Sequence, residues 1–182
     1  PSAISIKQDI AKSYPSVQAL KDDEPLLAMT SIDAAISKAQ VLIFAPRIRK
    51  TGQDIKIEIN SKFKDAVSNI KKGCMVIYGL GTGFGGNSEN ISLLEHVTGL
   101  KVDKTVSYFY YPLSNEITQK SYIGSSNGKE NEILKKLLSS DKIFNFLTLS
   151  SSEYFHAIDI LQQFSSLTSI LEVCKFAKDS AT

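Results

Sequence analysis

Apolar positions recur along this chain in two alternating rhythms. Val41-Leu42-Ile43-Phe44-Ala45 is a continuous apolar run closed by Pro46, the pattern of a strand buried on both faces. Met75-Val76-Ile77-Tyr78 is a second such run. Between them, residues 57–70 place Ile59, Phe63, Ala66, Val67 and Ile70 on one stripe at helical spacing, and Lys71-Lys72-Gly73 supplies the basic residues and glycine that end a helix. Strand, helix and strand joined by so long a connection predict a parallel crossover unit rather than a hairpin.

The same logic continues downstream. Residues 87–99 carry Ile91, Leu93, Leu94 and Val97 ahead of Gly99, and Val106, Tyr108 and Tyr110 then alternate in strand fashion over 105–111. Upstream, Ser31 before Ile32-Asp33-Ala34-Ala35-Ile36 predicts an N-cap and a short helix feeding the first strand. Ser121-Tyr122-Ile123, a helix over 129–138 and a strand over 143–149 follow. The expected fold is α/β, a Rossmann-like three-layer sandwich with a parallel sheet.

From Ser151 to Lys178 the character changes. Tyr154, Ile158, Leu161, Phe164, Leu167, Leu171, Cys174 and Ala177 recur every three or four residues with no proline or glycine, which predicts one long amphipathic C-terminal α-helix. Ser151-Ser152-Glu153 has capping chemistry at its start. Such a helix either crosses the sheet or packs against a second chain. The expected organisation is therefore an α/β domain over 1–149 and a dimerisation-type helix over 150–182, with the polar run 124–128 the nearest thing to a linker.

Composition narrows the classes without redirecting the argument. A chain of 182 residues, 42% hydrophobic and 22% charged, is ordinary globular material, and a formal net charge of +2 with dispersed lysines gives no footprint for nucleic acid. No apolar run approaches the roughly 20 residues that cross a bilayer, and the opening residues lack a signal-peptide layout. A cytoplasmic protein with no membrane partner is expected. Cys74 and Cys174 sit apart in apolar stretches without nearby histidines, the pattern of buried free thiols rather than a metal site or disulfide.

In open parallel sheets ligands bind beyond the carboxyl ends of the strands, which selects two loops. The first, Pro46-Arg47-Ile48-Arg49-Lys50-Thr51-Gly52, either holds an anion on its cations or is a solvated charged loop. The second, residues 79–86, carries half of the chain's ten glycines and leads into a helix. Its backbone N–H groups and the helix dipole suit a phosphate; the alternative is a turn with left-handed residues. It is no P-loop, for no lysine followed by Ser or Thr closes it. A dinucleotide turn needs an acidic residue about twenty positions on, after the next strand, whereas Asp103 precedes that strand. The candidate cofactor-binding residues are Pro46, Arg47, Gly81, Thr82 and Gly85, and no catalytic or metal-binding residue is assigned. His96 falls on a solvated helix face; His156, one turn before Asp159, is expected as a surface helix pair.

Residues 27–36, 39–46 and 70–77, then Leu93-Leu94-Glu95-His96-Val97-Thr98-Gly99-Leu100-Lys101-Val102, Tyr110-Tyr111-Pro112 and the helix beginning at Ser151 together resemble the nucleotide-sugar 6-dehydrogenases of the UDP-glucose and GDP-mannose type. The resemblance implies a Rossmann scaffold for NAD and a central dimer-forming helix, within which this chain stops. It also implies what is lost. The family's early GxGxxG turn has no counterpart in the glycine-free stretch from Ser2 to Lys21, and its cysteine domain lies beyond the matched region. Leu80 and Gly81 stand at its Ser-Thr pair, although Gly85 keeps the glycine of its Pro-Gly-Thr turn. Pro112-Leu113 replaces its Pro-Glu, and Asp159 and Gln163 stand at its lysine and asparagine.

Three functions follow as expectations. The chain is a catalytically inactive relative that binds a nucleotide, a nucleotide sugar or a protein, with NAD a candidate cofactor. Alternatively it is a subunit of an NAD-dependent dehydrogenase completed by another chain. The third is a homodimeric assembly protein joined through its C-terminal helix.

Overall fold

The computed structural model describes residues 36–112, 120–138 and 143–180. Five strands form one sheet in the order β1 (Val41–Phe44), β2 (Met75–Tyr78), β3 (Ser107–Tyr110), β4 (Lys120–Ser125) and β5 (Ile143–Thr148). The first three run parallel, with Val41 opposite Met75 and Met75 opposite Ser107. β4 enters antiparallel to β3, and β5 is again parallel to β4.

The crossovers expected from the apolar pattern are present. α1 (Asp54–Val67) joins β1 to β2, α2 (Gly86–Thr98) joins β2 to β3, and α3 (Glu132–Leu137) joins β4 to β5. Side-chain alternation along the strands divides the core in two. Phe44, Val76, Tyr78, Tyr108 and Tyr110 face α1 and α2 and meet Phe63, Val67 and Leu94. Ile77, Phe109, Tyr111 and Ile123 point to the opposite face, where Leu134 of α3 covers them. The result is a Rossmann-like α/β fold in three layers, with a mostly parallel sheet in the middle.

Several expectations shift. β1 is not buried on both faces, since Ile43 is 47% exposed. α1 begins and ends three residues earlier than its stripe suggests, and Gly73 (φ 92°) turns the chain into β2 instead of capping the helix. Gly124 and Ser125 belong to β4 and are no linker. The Ser31 cap lies outside the described residues, as do Leu113 and the stretch from Ser2 to Lys21, while Ile36 is described and buried in the core.

The long helix α4 (Leu149–Ser180) follows β5 directly. Its first turns lie against the sheet, with Ser152 against Gly124 and the Phe155 ring stacked on Tyr122 at 4.7 Å. Beyond them the apolar side chains are open to solvent, Phe164 at 65% and Leu171 at 60% among them. The exposure is not confined to the expected stripe, because Ile170, Val173 and Phe176 are exposed as well. Cys174 is exposed too, unlike the buried Cys74. No helix among the described residues is long and apolar enough to cross a membrane.

Candidate functional site

β1 and β2 end side by side, and the Gly79 N–H donates to the Phe44 carbonyl at 2.8 Å, so the two loops that follow leave the sheet together. The glycine-rich loop then reaches α2 through Gly85, a left-handed N-cap residue with φ 77°. A helix start of this kind offers unpaired N–H groups and the positive end of the helix dipole to an anion. That anion is supplied by the chain itself. Glu153, on the second turn of α4 and 3% exposed, accepts from the Gly85 N–H on Oε2 and from the Asn87 N–H on Oε1, each at 2.8 Å. The Asn87 side-chain amide donates to the same Oε1 at 2.8 Å.

A buried polar network holds this arrangement. The Tyr108 hydroxyl donates to Asn87 Oδ1 at 2.7 Å, and the Tyr110 hydroxyl accepts from the Thr82 N–H at 3.2 Å. Burial raises the Tyr108 phenol well above its ordinary value and raises Tyr110 as well; the Glu153 charge adds in the same direction. Both hydroxyls therefore stay neutral, able to donate and accept. His156, one turn along α4 from Glu153, sets its ring edge-on to Tyr110 with centroids 6.1 Å apart. A Cβ added at Gly81 would stand 2.7 Å from its Nε2, so a larger residue there requires the His156 ring to move. His156 is thus partly buried against the loop and not a plain surface residue, whereas His96 is exposed as expected.

The loop after β1 is tied down in the same manner. Glu58 of α1 accepts from the Lys50 N–H at 2.7 Å and the Arg49 N–H at 3.0 Å, and pairs with Lys62 at 2.6 Å. The Lys62 hydrogen bond, with the amides of Lys50 and Arg49, holds the Glu58 carboxyl down to about 2. Lys62 also donates to the Arg47 carbonyl at 2.6 Å. The backbone donors at 49 and 50 are therefore engaged by Glu58, leaving the Arg47, Arg49 and Lys50 side chains at the surface.

Between α1 and the glycine-rich loop lies an open groove of about 600 Å³. Ile55, Ile59 and Tyr78 form apolar wall, Gln53 and Asn60 supply amides, and Phe84 stands at the loop side. The two charged residues lining it, Lys56 and Glu89, neutralise each other at 2.7 Å. Of the five candidate ligand residues, Gly81 and Thr82 line the groove, Gly85 hydrogen-bonds Glu153, and Pro46 and Arg47 lie outside the lining. An opening of similar volume at the amino ends of β1 and β2 is bounded by Lys38, Lys71 and Lys72, on the edge where ligands of open parallel sheets are not found.

Sequence reasoning missed Glu153, which it treated as part of a helix start. Its partners are 66 and 68 residues away, so no local pattern announces them. Of the α4 positions matched to the family's lysine and asparagine, Asp159 is partly buried and Gln163 exposed; the α4 side chains that meet the loop are Glu153 and His156.

No protein-family model matches the chain, and no curated protein matches it in sequence. Solved structures do match its fold. GDP-mannose dehydrogenase from Pseudomonas aeruginosa superposes with a TM-score of 0.68 at 14% identity over 83% of this chain. UDP-D-ManNAc dehydrogenase from Pyrococcus horikoshii gives 0.56 at 15% over 66%, and NDP-N-acetyl-D-galactosaminuronic acid dehydrogenase from Methanosarcina mazei gives 0.53 at 12% over 68%. The chain spans 38%, 32% and 29% of their respective lengths. Its fold is that of a domain of nucleotide-sugar dehydrogenases.

Proposed function

We propose that the chain is a non-catalytic binding module built on the nucleotide-sugar dehydrogenase fold, taking a nucleotide or nucleotide sugar, with NAD among the candidates, in the groove between α1 and the glycine-rich loop. The observation that carries this reading is the groove's position at the carboxyl ends of β1 and β2, beside Gly81 and Thr82. Its ionisable lining supports binding over chemistry. Lys56 and Glu89 pair with each other, and the Tyr78 hydroxyl is raised by burial, so it is a poor proton donor and no base at neutral pH. Thermal denaturation with NAD, UDP-glucose and GDP-mannose tests the reading. A ligand present at about 100 times its dissociation constant adds about 2.7 kcal/mol of stability. No shift with any of the three at millimolar concentration rejects it.

A second reading adds self-association through α4. Ile160, Phe164, Leu167, Leu171 and Cys174 are spaced by alternating steps of four and three, the heptad rhythm of a helix seam, and they are exposed. Left in water, such a face is costly, and a second copy of the same helix covers it symmetrically. Light scattering on the full chain is expected to give a dimer, and a Phe164→Glu, Leu171→Glu double variant a monomer. A monomeric parent chain defeats this reading. Truncation before α4 is a poorer test, because it also removes Glu153 from the loop.

A further inference from the structure

We infer that the groove grips its ligand by an uncharged base stacked on Phe84, so that a nucleoside is recognised and its phosphates contribute little. This rests on the proposed nucleotide-type ligand and specifies which part of it the protein holds. Phe84 is 72% exposed on a loop otherwise made largely of glycine, an unusual place to leave a large apolar ring. The ring has aromatic neighbours. Tyr154 of α4 braces it at a centroid distance of 6.4 Å, Phe155 meets Tyr154 edge-on at 6.2 Å, and Phe155 stacks on Tyr122 of β4 at 4.7 Å with the planes 12° apart. A run of aromatic contacts thus links Phe84, in the lining of the groove, to the sheet.

The rest of the lining suits a flat, neutral, hydrogen-bonding ring. Ile55 and Ile59 offer apolar wall, and the side-chain amides of Gln53 and Asn60 each carry a donor and an acceptor, matching the mixed edge of a base. Most of the loop groups that would suit a phosphate are engaged elsewhere. The N–H groups of Gly85 and Asn87 are committed to Glu153, those of Arg49 and Lys50 to Glu58, and the one cation in the lining, Lys56, is paired with Glu89. A phosphate at the α2 N-terminus would also have to approach the buried Glu153 carboxylate, a like charge.

Calorimetric titration of the full chain with adenosine and uridine, and with ADP and UDP, tests the inference at low and high salt. Each nucleoside is expected to bind within about threefold of its diphosphate, with little salt dependence, since screening acts on charged contacts. Phe84→Ala should weaken nucleoside binding about tenfold or more, and Phe84→Trp should retain it, as expected where base stacking on an aromatic ring carries affinity. Phe84 is exposed, so neither substitution disturbs the core. A diphosphate bound far more tightly than its nucleoside, with strong salt dependence, overturns the inference while leaving the nucleotide reading intact, as does Phe84→Ala without effect. Failure of nucleosides alone, with UDP or ADP still bound, also overturns it; failure of all four together with NAD and the nucleotide sugars removes both.

Discussion

Replacing Glu153 with alanine is expected to destabilise the chain by about 3 kcal/mol, because it strips three donors of one buried acceptor group. The N–H groups of Gly85 and Asn87 and the Asn87 side-chain amide all end on this carboxylate at 2.8 Å. Asn87 is fully buried, so water does not readily replace the lost acceptor. The carboxylate has no salt-bridge partner among the described residues; its charge is balanced by the donors and the positive end of α2. Glu153→Gln keeps one acceptor oxygen but loses the charge, and should cost about half as much. Urea denaturation at fixed protein concentration gives both values. Hydrogen exchange at Gly85 and Asn87 should quicken in the alanine variant while the β2 amides stay protected, since the damage begins at the loop. A Glu153→Ala variant as stable as the parent would mean that the loop and α4 are not joined in solution as described.

This contact also shows where sequence reasoning reaches its limit. Periodicity located β1 to β3, α1 and α2, because each buries one face and burial writes its spacing into the chain. Gly99, with φ 69°, ends α2 at the place its glycine announces. The Val41 to Ala45 run misled, since apolar content alone does not report how many faces are covered, and Ile43 remains half exposed. Likewise, an anion cradle was legible in the glycine loop's composition as one of two readings, beside a turn with left-handed residues. The identity of the anion was not, for Glu153 reaches it only after β3, β4, α3 and β5 have brought α4 back across the sheet. Phe84 was hidden for a related reason. An aromatic between glycines has no period, and its meaning depends on Tyr154, 70 residues later, lying beside it.

The same return of α4 makes Gly124→Ala the second substitution with a large expected effect, destabilising by about 3 kcal/mol through overpacking. Gly124 sits in β4, opposite Tyr110 of β3, where the first turn of α4 crosses the sheet. An added Cβ would stand 2.1 Å from Ser152 Oγ, 3.1 Å from Ser152 Cβ and 3.2 Å from Tyr110 Cβ. Rotating the Ser152 hydroxyl away relieves only the first of these and breaks its 2.8 Å hydrogen bond to the Leu149 carbonyl. Relief of the Ser152 Cβ contact needs α4 to shift from β4 by a few tenths of an ångström, and relief of the Tyr110 Cβ contact needs a similar shift between β3 and β4. The shift of α4 also strains the bonds that Glu153, the next residue, accepts from the Gly85 and Asn87 amides, so a packing error at the sheet is felt at the loop. A double-mutant cycle separates the parts. Ser152→Ala in the Gly124→Ala background should recover about 1 kcal/mol, the share owed to the hydroxyl, and leave the remainder. Full recovery would assign the whole clash to Oγ, and an unchanged urea midpoint for Gly124→Ala alone would show that α4 does not lie this close to β4.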